Sequence, residues 1–132
     1  MTDEKTLHRH VCEYLKYAYP GIIFNSDLSG STKLTMGQAV ALKKLRSGRG
    51  FPDLMILEPR GKHHGLFIEI KTEDTKLFKA RTLNPDGSVA FTTDHIKEQA
   101  EMIQKLSDRG YFASFGIGFD DIKNIIDSYL KK

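Results

Sequence analysis

The 132-residue chain has a single cysteine, Cys12. It therefore has no intramolecular disulfide and no zinc site built from cysteines, and an intracellular (cytoplasmic) setting is the expectation. No apolar run approaches the length of a membrane span, and no secretory apolar segment follows Met1. Internal repeats and low-complexity tracts are also lacking. The formal charge surplus is only +3, too small to name a partner by itself. With 39% hydrophobic and 28% charged residues, the composition is that of an ordinary globular protein. The length suits one domain, residues 1–132, with a real core.

One local shortage says more. From Leu28 to Pro52 there is no acidic residue, while Lys33, Lys43, Lys44, Arg46 and Arg49 all fall in that stretch. A solvated helix face accounts for such a run in an arbitrary protein. Here it leads directly into Asp53, so a patch tracking nucleic-acid phosphates beside a reactive site is the better reading.

Periodicity predicts a first helix over Asp3 to Tyr19, with Leu7, Val11, Tyr14, Leu15 and Ala18 on one face and Pro20-Gly21 ending it. Ile22-Ile23-Phe24 reads as a short strand and Asn25 to Gly30 as a turn. A second helix is expected over Thr35 to Leu45, broken by Ser47-Gly48-Arg49-Gly50. Two apolar runs follow, Gly50 to Leu57 and Leu66 to Lys71, joined around Pro59-Arg60-Gly61 as an antiparallel hairpin. Between Glu73 and Phe91 the turn signal Asn84-Pro85-Asp86-Gly87-Ser88 marks an excursion or a small extra hairpin. A long helix over Asp94 to Arg109, a strand over Tyr111 to Ile117 and a closing helix over Phe119 to Leu130 complete the chain. This order predicts an α/β fold, a mixed central sheet flanked by helices in three layers.

The chemistry is concentrated in the two runs of the hairpin. A strand sends Glu69 and Lys71 to one face and Ile68 and Ile70 to the other. Asp53 follows Pro52 at the mouth of the neighbouring strand. Carboxylates on adjacent strands repel unless a cation lies between them. All-oxygen ligation selects Mg²⁺, with Mn²⁺ as substitute, over zinc. Beside them, Lys71 would orient or deprotonate an attacking water and offset charge on phosphoryl oxygens; a surface ion pair with Glu69 or Glu73 is the bland alternative. Gln99 shares a helix face with Ile96, Ile103 and Leu106, where an amide needs a partner: either backbone at the core edge or the site across the sheet. His95 begins the same helix and could reach DNA. His63-His64 at the hairpin turn read as exposed, and Asp120-Asp121 as complements to the last helix's dipole.

Gly50-Phe51-Pro52-Asp53 followed by Glu69-Ile70-Lys71 resembles the core of the PD-(D/E)XK nucleases, and the predicted element order matches that superfamily. Within it the chain is similar to the VRR-NUC family, the virus-type replication-repair nucleases. Glu4-Lys5-Thr6-Leu7-His8, Ser29-Gly30, and Gln99 within Glu98-Gln99-Ala100, followed by Leu106 and Gly110, add to the likeness, which runs from residue 4 to about 118. The resemblance implies that Asp53, Glu69, the backbone carbonyl of Ile70 and a first-helix acid hold the metal, and that Lys71 serves the water. That acid would be Glu4, with Glu13 as the alternative. The family often carries Gln one turn after this Glu; here His8 stands there. His8 shares a helix edge with Glu4 and would contact a phosphate or a coordinated water, or sit at the core edge. Ser29 and His95 are accessory candidates.

The expected activity is divalent-metal-dependent hydrolysis of DNA phosphodiesters. Family members from phages and bacteria are standalone domains associated with homodimers that cut branched DNA, so a phage-encoded or bacterial homodimer acting on four-way junctions is the implied form. The rivals are a non-cleaving nucleic-acid-binding module on the same fold and a nuclease directed at RNA.

Overall fold

The computed structural model describes residues 3–28 and 33–131. Its elements, in chain order, are α1 (Glu4–Ala18), β1 (Phe24–Ser26), α2 (Met36–Lys44), β2 (Leu54–Ile56), β3 (Leu66–Lys71), β4 (Phe78–Leu83), β5 (Val89–Phe91), α3 (Asp94–Asp108), β6 (Phe112–Ile117) and α4 (Phe119–Leu130). The central sheet has the order β1-β2-β3-β6. Its first three strands are antiparallel and β3 pairs with β6 in parallel, so the sheet is mixed. The segment read as an excursion or extra hairpin forms the separate β4-β5 pair.

Strand β3 organises the layers. Leu66, Ile68 and Ile70 are fully buried in one core with Leu7, Val11 and Leu15 of α1 and with Ile122, Ile126 and Tyr129 of α4. Burying side chains of this size contributes about 1.5–3 kcal/mol each, which fixes the strand's register because a one-residue slip would turn them out. The alternate residues Phe67, Glu69 and Lys71 therefore face the other layer. There Tyr111 meets Phe67 edge-on at 5.2 Å between ring centres, and α3 buries Ile96, Gln99 and Met102. No described helix is long and apolar enough to cross a membrane.

Helix ends follow local chemistry. Asp3 caps α1 by accepting the Thr6 N–H at 2.8 Å, and Thr35 with Gln38 forms a reciprocal capping box on α2. Gly118 precedes α4 without a side-chain cap, and Asp121 in the first turn accepts the Ile117 N–H at 2.8 Å.

The first strand is displaced from its sequence expectation. The ladder pairs Phe24, Asn25 and Ser26 with Ile56, Met55 and Leu54. Ser26 and Asn25, read as turn residues, are in a strand because Ser26 turns inward and has a buried partner, His8, at 2.9 Å. Ile23, read as strand, is 64% exposed.

Candidate metal and nucleic-acid site

Asp53, Glu69, Lys71 and Gln99 meet in one cleft of about 240 Å³, which Glu4, Asp27, Arg46, Gly50, Phe51 and His95 also line. The sheet supplies the first three. Register sets Leu54 opposite Ile68, so Asp53, immediately before β2, comes level with Glu69 of β3. Lys71 Nζ lies 3.7 Å from Glu69 Oε1, with its side chain 15% exposed against 3% for Glu69. From α3, Gln99 Nε2 donates to the same Glu69 Oε1 at 2.6 Å and lies 3.2 Å from His95 Nε2. His95 itself is exposed.

The approach to Asp53 depends on glycine. Gly50 has φ +80°, and a Cβ there would lie 2.7 Å from the carbonyl oxygen of Glu98 and 2.9 Å from the Cα of Gln99. The backbone before β2 thus rests directly on the backbone of α3, which brings the Pro52-Asp53 and Gln99 sides of the cleft together.

From the opposite layer, the start of α1 delivers Glu4 and His8. They are one turn apart on one edge. His8 Nε2 lies 3.9 Å from Glu4 Oε1 and 3.9 Å from Asp53 Oδ2. Glu13, the alternative first-helix acid, points away: it is 67% exposed and pairs with Arg9. Nine residues from Glu4 is half a revolution of an α-helix, so both acids cannot face one cleft.

Electrostatics single out the two strand carboxylates. Burial, then repulsion from Asp53, pushes Glu69 far above the usual carboxylate range, against the pull of Lys71. Burial also pushes Asp53 up, while hydrogen bonding, including the Ile70 N–H, works against the shift. Two buried acids that resist ionising together are the pattern expected where a positive charge belongs. Burial lowers the His8 imidazole below its usual value, with Asp27 opposing, which favours the neutral ring.

The residues present fit a divalent cation. Glu69 Oε2, His8 Nε2 and Gln99 Oε1 are buried side-chain atoms without a hydrogen-bond partner, and orphaned buried polar atoms are costly unless something satisfies them. One ligand atom from each of Glu4, His8 and Asp53 lies within 4.8 Å of the others. A divalent ion held by that set, or by Asp53 with Glu69, would relieve the repulsion that raises both acids.

Beside this cleft runs a groove of about 430 Å³, lined by Lys43, Arg46, Ser47, Gly48, Arg49, Gly50, His95 and Glu98. Arg46, Gly50 and His95 line both. Three residues of the acid-free stretch, Lys43, Arg46 and Arg49, therefore flank the acids. Lys33 and Lys44 are exposed and line neither. The stretch is less uniformly positive in space than in sequence, because Arg46 pairs with Asp27 at 2.9 Å and Arg49 with Glu98 at 3.6 Å.

Ser29 lies outside the described residues. The sequence reading missed Ser26, which holds the His8 ring, and Asp27, which enters the cleft. The signal available was alternation: Phe24 and Ser26 share a strand face, so a polar residue two after a core aromatic called for a buried partner. At the other end of the sheet His63, expected to be exposed, is half-buried, edge-on to Phe112 at 5.3 Å.

Comparison with protein-family models finds no match, and comparison with curated proteins finds none either. Among solved structures, the chain is similar to one described as a VRR_NUC domain protein, with 24% sequence identity, a TM-score of 0.54, and coverage of 95% of this chain and 88% of that one. The mixed sheet, the helical layers and this likeness together show that the chain adopts a VRR-NUC-like fold.

Proposed function

We propose that the protein is a divalent-metal-dependent nuclease hydrolysing phosphodiester bonds in DNA. The observation that carries the reading is the buried Asp53–Glu69 pair, both acids raised, with Lys71 Nζ 3.7 Å from Glu69 at the mouth of a basic groove. In this reading Asp53, Glu69, the Ile70 carbonyl and Glu4 hold Mg²⁺, or Mn²⁺ in its place. When bound, the ion supplies Lewis-acid stabilisation of charge on the phosphoryl oxygens.

The chain's own residues do the rest. Lys71, close to Glu69 and 15% exposed, would as an ammonium orient the attacking water and offset the negative charge of the transition state, or as a neutral amine take the water's proton. Gln99 fixes the Glu69 carboxylate through the 2.6 Å bond to Oε1. Lys43, Arg46 and Arg49 contact the backbone on either side of the scissile phosphate, so recognition follows shape more than sequence. Arg46 and Arg49 exchange Asp27 and Glu98 for phosphates on binding.

The finer form of the proposal is a homodimer that cuts branched DNA, such as four-way junctions. A two-fold dimer would place two clefts symmetrically and make paired cuts on a symmetric junction. The test is incubation with duplex, flap, single-stranded and four-way DNA, and with RNA of matching shape, in Mg²⁺ and in Mn²⁺. Metal-dependent cleavage of DNA, lost in Asp53→Asn, supports the reading. Binding without cleavage in both ions at high protein concentration would overturn it in favour of a binding module, and cleavage confined to RNA would change the substrate.

A further inference from the structure

We infer that His8 is a direct metal ligand through Nε2, and that Glu4, His8 and Asp53 form a mixed nitrogen–oxygen cation position that prefers a transition ion such as Mn²⁺ to Mg²⁺. The inference rests on the reading that this cleft holds a divalent cation. It adds the ligand set and the class of ion.

The ring is built in, not incidental. His8 is 2% exposed, and its Nε2 is buried without a hydrogen-bond partner. That atom lies 3.9 Å from both Glu4 Oε1 and Asp53 Oδ2, too far for hydrogen bonds but suited to an ion between them, since metal–ligand bonds of about 2.0–2.2 Å place ligand atoms roughly 3–4 Å apart. The other nitrogen is anchored: Nδ1 lies 2.9 Å from Ser26 Oγ. The Ser26 hydroxyl oxygen can accept from Nδ1–H. This tautomer puts the lone pair on Nε2, facing the two carboxylates. A ligating histidine whose second nitrogen is held by a neighbouring acceptor is the usual arrangement at metal sites.

The consequence is selectivity. An all-carboxylate and carbonyl cage suits Mg²⁺, whereas an imidazole donor favours first-row transition ions. Asp53 is common to this position and to the Glu69 side of the cleft, so the histidine alters which ion the acids hold without removing any oxygen donor.

The experiment uses the full chain and Mn²⁺, followed by electron paramagnetic resonance. Binding isotherms give the affinity, and pulsed measurement of the bound ion detects coupling to imidazole nitrogen, with Mg²⁺ as competitor. The wild type is expected to bind Mn²⁺ at least about tenfold more tightly than Mg²⁺ and to show imidazole coupling. His8→Gln should lose the coupling and most of the preference, with Mg²⁺ affinity little changed. His95→Gln should keep both. Ser26→Ala, which leaves the ring but frees it, should lower Mn²⁺ affinity by about tenfold while retaining the coupling. Bound Mn²⁺ without imidazole coupling in the wild type overturns the inference and leaves the nuclease reading standing. Coupling that survives in His8→Gln overturns it as well. Imidazole-coupled Mn²⁺ in a protein that cuts no substrate would uphold the site and remove the proposed activity.

Discussion

The Asp53 carboxylate accepts the backbone N–H of Ile70 through Oδ2 at 3.0 Å. Ladder register explains why a side chain does this. Leu54 pairs with Ile68, so continuing the ladder by one hydrogen-bonded pair would set Pro52 opposite Ile70. Proline has no N–H to give to the Ile70 carbonyl. The strand's own geometry puts that carbonyl on the same edge as the Ile70 N–H, toward Asp53. Pro52 thus ends the ladder and leaves a carbonyl beside the two acids, while Asp53 secures the strand end in its place. In the proposed function this is how a backbone oxygen joins the metal's ligand set.

From that arrangement, removing the Asp53 charge or the Lys71 ammonium should abolish turnover without abolishing binding. Asp53→Asn keeps an oxygen that can accept the Ile70 N–H, so the fold should persist. Lys71→Ala should reduce cleavage by roughly a hundredfold or more, the usual worth of a positioned proton-transfer group. Single-turnover cleavage and gel-shift titration on the same DNA measure the two quantities separately. Variants cutting at near wild-type rates would show that the reactive centre lies elsewhere.

Glu69 should make the metal-free protein less stable as pH rises. Its folded-state value is raised by burial and by Asp53, and Asp53 is raised as well. The native state therefore binds protons that the unfolded chain has already released. Stability from this source is full below the ordinary carboxylate value and is lost as pH rises through the folded values. In EDTA, Tm should fall across about pH 5 to 9, and Glu69→Gln should melt a few degrees higher than wild type at the alkaline end. Added Mn²⁺ or Mg²⁺ should raise the wild-type Tm more than that of the variant. A wild-type Tm that is flat or rising over that range in EDTA would contradict the burial of these acids.

Gly50→Ala should damage the site from outside it. A methyl group at φ +80° would lie 2.7 Å from the Glu98 carbonyl oxygen, and backbone on both sides leaves nothing flexible to move. A loss of about 1–3 kcal/mol in stability is expected from the strain and overpacking. Weaker divalent-cation binding should accompany it as Asp53 shifts, measured by chemical denaturation and calorimetry. A variant with unchanged stability and unchanged cation affinity would mean that this contact does not set the cleft.

Charge neutralisation in the groove should weaken DNA binding alike for all sequences. Replacing Lys43, Arg46 and Arg49 with Gln should reduce the dependence of log K on log salt by up to roughly 0.9 per lost phosphate contact. Because Arg46 and Arg49 are paired with Asp27 and Glu98, Lys43 should account for more than its share in low salt. The same change at Lys33 and Lys44, outside the groove, serves as the comparison. An equal effect from both sets would remove the groove from the interface.

Much of this arrangement is written in local patterns. Leu7, Val11 and Leu15 mark α1 because apolar residues recur there at the helical period, and Leu66 to Lys71 marks β3 as a short, nearly continuous apolar run. Glu69 and Lys71 were legible for the opposite reason, as charges inside an apolar strand, and Gln99 as an amide among Ile96 and its neighbours. Ser26 was not, because a serine beside Asn25 and Asp27 carries turn chemistry until the strand pairing with Leu54 is known. Nor were the pairings of Arg46 and Arg49 with acids distant in sequence, since tertiary contacts decide which charges meet. His8 fell between: its helix edge was readable, but its position between Glu4 and Asp53 required the sheet.

Away from the cleft, Asp127 should prove a stability determinant with no effect on chemistry. The Tyr14 and Tyr19 hydroxyls both donate to its Oδ1, at 2.5 and 2.6 Å, and Lys123 Nζ lies 3.1 Å from its Oδ2. They tie α1 and its C-cap to α4. Burial would raise this acid, but the two hydroxyls and Lys123 outweigh it and hold it at about 2. A depressed value gives stability that is present above the ordinary carboxylate range and lost as pH falls toward 2, opposite in sign to Glu69 and in a separate window. Asp127→Asn should cost about 1–3 kcal/mol at neutral pH and flatten the acid limb of the stability curve, while cation binding and any cleavage stay at wild-type levels. Tyr14→Phe and Tyr19→Phe share one acceptor oxygen, so their effects should be non-additive in a double-mutant cycle. Additive losses would show that the two rings act by packing alone.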